Sequence, residues 1–183
     1  VYIRKKMAVM FAVTTIGLGF ISPFQGQAKA QTSQTQTSTS QKVLQAGLKY
    51  LGTPYEFGSN RNSARTLDCS DFTRRAFLNG AGVDITTNSR TQANYVKKIG
   101  KTTTQLTSLK PGDLMFFMSY RGPKASSYTG TNKFNQRITH VSIYLGNGKM
   151  LHTYSNQSGG VRVDQIAGTH WQHRFIFGGS AIK

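Results

Sequence analysis

The apolar pattern changes period part-way along the chain, and that change limits the fold more than any other feature. From Gln41 to Leu51, Val43, Leu44, Ala46, Leu48 and Leu51 recur at helical spacing, and Gly52 with Pro54 stops the helix. Asp68 to Asn79 predicts a second helix, with Phe72, Ala76 and Phe77 on its apolar face, Arg74 and Arg75 off it, and Gly80 at its end. A third centres on Thr91–Lys97. Past the turn Leu109-Lys110-Pro111-Gly112-Asp113 the pattern is extended. Leu114–Met118 is a wholly apolar strand. His140–Leu145 alternates and is turned by Gly146-Asn147-Gly148 into Lys149–Tyr154, a hairpin. Val161–Val163 and Phe175–Phe177 supply further short strands, and the polar stretch 119–138 is a long loop. Helices first and antiparallel strands after make an α+β layout, N-terminal helices packed on one face of a small antiparallel sheet.

The first 30 residues do not belong to that unit. Arg4-Lys5-Lys6, an apolar small-residue run from Met7 to about Ile21 and then Ala28-Lys29-Ala30 form the pattern of a secretory signal peptide cut after Ala30. The apolar run is shorter than the ~20 residues a membrane span needs, so no transmembrane anchor is expected after cleavage. Residues 31–41, QTSQTQTSTSQ, hold nothing to bury and are expected to be a disordered leader. The domain is then 42–183, in a secreted, extracellular or wall-associated protein.

Charge narrows the partners. Of the 23 Lys and Arg, four lie in residues 1–30, and the remaining 19 against six acids leave a formal charge of +13. A small domain so far from neutral implies a polyanionic neighbour. Nucleic acid is one candidate. The export signal disfavours it and favours the anionic polymers of a wall or envelope.

Cys69 is the only cysteine, and it stands at the start of the second helix. Backbone N–H groups there favour a thiolate. His140 and His152 sit at the two open ends of the hairpin, where one imidazole can hold the other. Nucleophilic cysteine catalysis needs that arrangement: one histidine takes the thiol proton and a further polar group orients it. A buried structural cysteine and two ordinary polar strand ends are the blander readings. His170 and His173 flank Trp171, but without paired cysteines, with no His-Glu-x-x-His and with Glu56 as the lone glutamate, neither a metal nor a cofactor is expected.

Four stretches, in order, resemble the NlpC/P60 family of cell-wall cysteine peptidases. They are Leu51-Gly52-Thr53-Pro54-Tyr55, Leu67-Asp68-Cys69-Ser70 with Phe72, Leu109 to Phe117, and His140 to Gly148 followed by Leu151-His152. The resemblance spans about residues 43–177 and implies a papain-like domain. It implies Cys69 as nucleophile, His140 as base and His152 as its orienting partner, with Tyr55, Asp68 and Ser70 on the substrate side. Three positions depart from the family pattern. Asp71 and Ser142 stand where glycine is usual, and Gly58-Ser59 where Gly-Gly is frequent. On a helix, Asp71 is expected close enough to the sulfur to raise the thiol pKa.

The implied activity is hydrolysis of peptidoglycan stem peptides, commonly between D-glutamate and the diamino acid, by a monomer. The alternatives are an amidase cutting between sugar and peptide, a cross-link peptidase of the same fold, and a non-catalytic basic wall-binding module. The positive charge is expected to replace a binding domain. Arg61, Arg65, Arg74, Arg75 and Arg90, together with Arg121, Lys124, Lys133 and Arg137 of the long loop, would then rim the cleft.

Overall fold

A computed structural model describes residues 39–183. The expected signal peptide and most of the expected leader lie outside the described residues. Helix α1 covers residues 39–48, so three residues assigned above to the leader are already helical. Helix α2 runs Cys69–Ala81 and α3 Ser89–Ile99. The strands are β1 (Thr102–Thr103), β2 (Leu114–Met118), β3 (Ile138–Gly146), β4 (Lys149–His152), β5 (Arg162–Gln165) and β6 (Phe175–Gly179). A short helix, α4 (His170–Arg174), leads directly into β6. All neighbouring strands are antiparallel, in the order β1-β6-β2-β3-β4-β5. The α+β layout with N-terminal helices on a small antiparallel sheet is therefore the observed one. Among the described residues no helix is long and apolar enough to cross a membrane.

Caps set the helix ends. Asp68 accepts from the backbone N–H groups of Ser70 and Asp71, and Asn88 does the same for Arg90 and Thr91. Gly80 does not stop α2, contrary to the sequence expectation. The helix passes through it and ends at Gly82, which is left-handed at φ 66°. Gly80 is instead a packing residue: a Cβ there would lie 2.4 Å from the Cα of Val43, so only glycine lets α1 and α2 approach so closely.

The continuous apolar run of β2 follows from burial on both faces. Leu114, Phe116 and Met118 point into the main core with Phe72, Phe77, Val96, Val141 and Ile143, under the helices. Met115 and Phe117 point the other way, into a smaller cluster with Met150, Ile166, Trp171 and Phe175. The sheet thus buries two faces rather than one, and α4 with the segment before it covers the second.

Two side-chain hydroxyls, Ser142 and Thr153, are buried with no hydrogen-bond partner among the described residues. An unpaired buried hydroxyl costs about 1–3 kcal/mol of desolvation. Thr153→Val keeps the shape and removes that cost, so it should raise stability by about 1 kcal/mol and the melting temperature by about 3 °C. A lower melting temperature in a thermal scan would show that the hydroxyl is satisfied by water instead.

Candidate active site

Cys69 and the histidines reach one place from opposite layers of the domain. Cys69 is the first residue of α2, in the helical layer. His140 lies on β3 opposite Phe117 of β2, and its ring packs against Phe117 and Trp171 on the other face. The β2–β3 pairing shifts between Phe117 and Met118, which leaves Thr139 as a bulge immediately before His140. Bulges of this kind re-aim the neighbouring side chain. The two layers meet along a cleft of about 520 Å³. Tyr55, Asp68, Cys69, Ser70 and His140 all line it. His152 does not; it is fully buried behind His140.

The two hairpin histidines are neighbours. His140 Nε2 lies 3.0 Å from His152 Nδ1, and His152 Nε2 lies 3.1 Å from Asp164 Oδ2. Asp164 comes from β5 and had no signal in the sequence, because it becomes adjacent only when β5 pairs with β4. Burial pushes the pKa of His140 well down, helped by the neighbouring charges of His152, Arg174 and His170. Burial also pushes His152 down, although Asp164 opposes the shift. Both rings are therefore neutral near pH 7.

The thiol does not behave as its helix position suggests. Cys69 keeps some exposure to the cleft, yet burial pushes its pKa up to about 12, and the nearby Asp68 carboxylate adds to the rise. Backbone N–H groups of Val141 and Ser70, and Arg61, pull in the opposite direction without prevailing. The thiol and the His140 imidazole on this cleft are therefore both uncharged near neutral pH.

Asp71 is a second correction. It was expected near the reactive centre, but its fully buried carboxylate turns away. It accepts from Arg75 Nε at 3.1 Å and from Ser59 Oγ at 3.1 Å. The carboxylate that raises the thiol pKa is Asp68. Ser59 and Asp71, both departures from the family pattern, are thereby bonded to each other. Ser59 Oγ also accepts from the backbone N–H of Asp68, which ties the pair to the start of α2.

Arg61 was expected only as part of a charged rim, and it is an organiser of the wall. Its guanidinium donates to Asp68 at 2.8 Å, Ser70 Oγ at 3.2 Å, and the Ser59 and Thr87 carbonyls. Arg90 also lines the cleft, whereas Arg74 and Arg75 are spent on Asp84 and Asp71. From the long loop, Tyr120 reaches the cleft and packs against His170. His170 lines the cleft, and His173 lies by the ring of Tyr128. Among the described residues no group of three His, Cys, Asp or Glu side chains is placed to hold a metal.

Arg174 had no role in the sequence reading. It is 7% exposed and lines the cleft, with Nε donating to the Met118 carbonyl and the guanidinium over the Trp171 ring at 4.4 Å. No carboxylate among the described residues pairs with it. Burial accordingly pulls its pKa down to about 10.

Comparison with known proteins converges on one family. Its model, the NlpC/P60 family, matches residues 52–179. The chain is 31% identical over 129 residues to "Probable endopeptidase p60" of Listeria monocytogenes, covering 70% of this chain and 21% of that protein. It is 33% identical over 139 residues to "Peptidoglycan DL-endopeptidase CwlO" of Bacillus licheniformis, covering 73% and 26%. It is 34% identical over 143 residues to "Gamma-D-glutamyl-L-lysine dipeptidyl-peptidase" of Bacillus subtilis, covering 78% and 40%. The chain thus spans about a fifth to two-fifths of the length of these curated relatives. Among solved structures, the NlpC/p60 domain of the peptidoglycan hydrolase SagA superposes with a TM-score of 0.56 at 27% identity, covering 77% of this chain and 97% of that one. The peptidoglycan hydrolase RipB of Mycobacterium tuberculosis gives 0.53 at 26%, covering 92% and 75%. With a helix-borne cysteine and a hairpin histidine on one cleft, and a family match over most of its length, the chain belongs to the NlpC/P60 family, with its papain-like fold.

Proposed function

We propose that this chain is an exported cysteine endopeptidase that hydrolyses peptidoglycan stem peptides at the bond between D-glutamate and the diamino acid. The observation that carries the reading is His140, which lines the same cleft as Cys69 and is hydrogen-bonded from behind to the buried His152. His140 takes the Cys69 proton as sulfur bonds to the scissile carbonyl carbon. The tetrahedral oxyanion forms beside the backbone N–H of Cys69, at the start of α2, and the Tyr55 hydroxyl. Burial raises the Tyr55 pKa to about 12, so the phenol stays a donor. As the C–N bond breaks, His140 gives its proton to the leaving amine. Water, deprotonated by His140, then cleaves the thioester and returns the thiol.

The substrate class draws support from two sides. The relatives' names specify peptidoglycan, DL- and γ-D-glutamyl bonds. Arg174 and Arg90 offer cations in the cleft to a substrate carboxylate. Mass analysis of fragments from purified walls tests the reading. New amino termini should appear on the diamino acid, with D-glutamate at the new carboxyl end. Free sugar lactyl groups with L-alanine amino termini would identify an amidase. Fragments cut between stems would identify a cross-link peptidase, and no fragments at all a binding module.

Attraction to anionic wall polymers is the second part of the proposal. Exposed Arg65, Arg90, Lys97, Lys98, Lys101 and Lys124 form no ion pair among the described residues, while the acids beside Arg61, Arg74, Arg75 and Arg162 are already paired. Raising salt from about 0.05 to 0.5 M should sharply reduce sedimentation with intact walls, because screening shortens the reach of the charge below ~10 Å. Cleavage of a small soluble stem peptide should change much less. A parallel fall of both, or binding that persists in high salt, would rule out charge as the targeting device.

A further inference from the structure

We propose that Asp164, held by Arg162, is a positioning residue that fixes the tautomers of both histidines, so that His140 presents an unprotonated Nδ1 toward Cys69. The proposal rests on reading Cys69 as nucleophile and His140 as base.

The argument is a chain of donors and acceptors. Asp164 and Arg162 sit on β5, where His152 faces Arg162 and Met150 faces Asp164. A carboxylate only accepts, so the 3.1 Å contact from His152 Nε2 to Asp164 Oδ2 puts the His152 proton on Nε2. A neutral imidazole carries one N–H, which leaves His152 Nδ1 as an acceptor. The 3.0 Å contact to His140 Nε2 therefore places the His140 proton on Nε2. His140 Nδ1 is left with its lone pair free, as a base toward sulfur must have it.

Arg162 completes the device. Its Nε donates to the other oxygen, Asp164 Oδ1, at 2.6 Å, and its Nη1 donates to the Ser158 carbonyl at 2.8 Å. The carboxylate is thereby oriented from outside, and neither Asp164 nor Arg162 lines the cleft. Two residues at the outer edge of the sheet would control the proton on a ring they do not touch. Their loss should therefore appear in kcat rather than in KM.

A plain structural clasp between β5 and β4 is the competing account, and an asparagine separates the two. In Asp164→Asn, Arg162 Nε still needs an acceptor, so the amide oxygen turns to Arg162 and the NH2 faces His152 Nε2. That donor forces the His152 proton to Nδ1, and His152 then drives the His140 proton to Nδ1, where it blocks the base. Alanine leaves both rings free to exchange tautomers. A clasp predicts that asparagine, the closer mimic, is the milder change.

The experiment measures kcat and KM of the full chain on a soluble stem peptide, with melting temperatures to confirm folding. It adds ¹H–¹⁵N spectra of the histidine rings. Asp164→Ala should lower kcat by about 10-fold, and Asp164→Asn by about 10³–10⁴-fold, with KM changed by less than about twofold. Adding Arg162→Leu to Asp164→Asn frees the amide to flip and should recover at least about tenfold. The spectra should show Nε2–H on both rings in the wild type and Nδ1–H on both in Asp164→Asn. Asparagine equal to or milder than alanine, or ring tautomers unchanged between wild type and Asp164→Asn, overturns the proposal. The spectra read the tautomers whether or not the chain cleaves peptide, so failure of the proposal is distinct from failure of Cys69 as nucleophile.

Discussion

With Cys69 replaced by alanine, release of soluble peptide from purified walls should fall by about 10⁴-fold or more, to the background of uncatalysed hydrolysis. Cys69 is the chain's only thiol, and no other nucleophile in the cleft is equipped to replace it. Ser70 Oγ, the nearest hydroxyl in sequence, donates to Asp68 at 2.8 Å and receives the Arg61 guanidinium, which also pairs with that carboxylate, and none of its partners is a histidine. Alanine suits the first turn of a helix, and the Asp68 cap depends on backbone N–H groups that the change leaves in place. The melting temperature should therefore move by no more than about 2 °C, since little packing is lost. A wall digest in which the alanine variant matches the wild type would end the cysteine mechanism.

His140→Ala is expected to lower kcat by about 10³–10⁶-fold, because the thiol cannot ionise by itself. With its pKa pushed up to about 12, only a trace of Cys69 would be thiolate at neutral pH without a base at hand. The same logic predicts slow alkylation: iodoacetamide should label the variant at pH 7.5 far more slowly than the wild type. The ring packs against Phe117 and Trp171, so alanine leaves a cavity costing about 2–3 kcal/mol. His140→Gln, which fills more of that space, separates loss of the base from loss of fold. Combining His140→Ala with Cys69→Ala should be no worse than Cys69→Ala alone, within about threefold, because the two act as one unit. Multiplying losses, or labelling at the wild-type rate, would show that another group activates the sulfur.

Residue pattern alone placed much of this molecule. The 3.6-residue spacing of Phe72, Ala76 and Phe77 reports the buried face of α2, and the alternation in His140–Leu145 reports one face of β3. A tight Gly-Asn-Gly turn makes the ends of its hairpin neighbours, so the meeting of His140 and His152 was legible before any coordinates. These are local facts: a helix or hairpin has one geometry, and short spacing settles which side chains share a face. Gly80 was misread because a glycine that ends a helix and one that lets two helices touch look alike without the second helix.

Contacts between segments distant in sequence were decided only by the tertiary structure. The last strand, β6, lies inside the sheet between β1 and β2, and that insertion brings α4, Trp171 and Arg174 to the cleft. Asp164 reaches His152 because β5 pairs with β4, and Asp71 turns from Cys69 toward Arg75 and Ser59 because that pocket satisfies a buried carboxylate. The thiol pKa changed sign for the same reason. A helix start favours the anion through local dipoles, but desolvation depends on everything packed around the sulfur, and here the packing prevails. The sequence by itself determined the elements and which residues could do chemistry. Burial and long-range pairing determined their protonation and partners, because both depend on neighbours that no local spacing encodes.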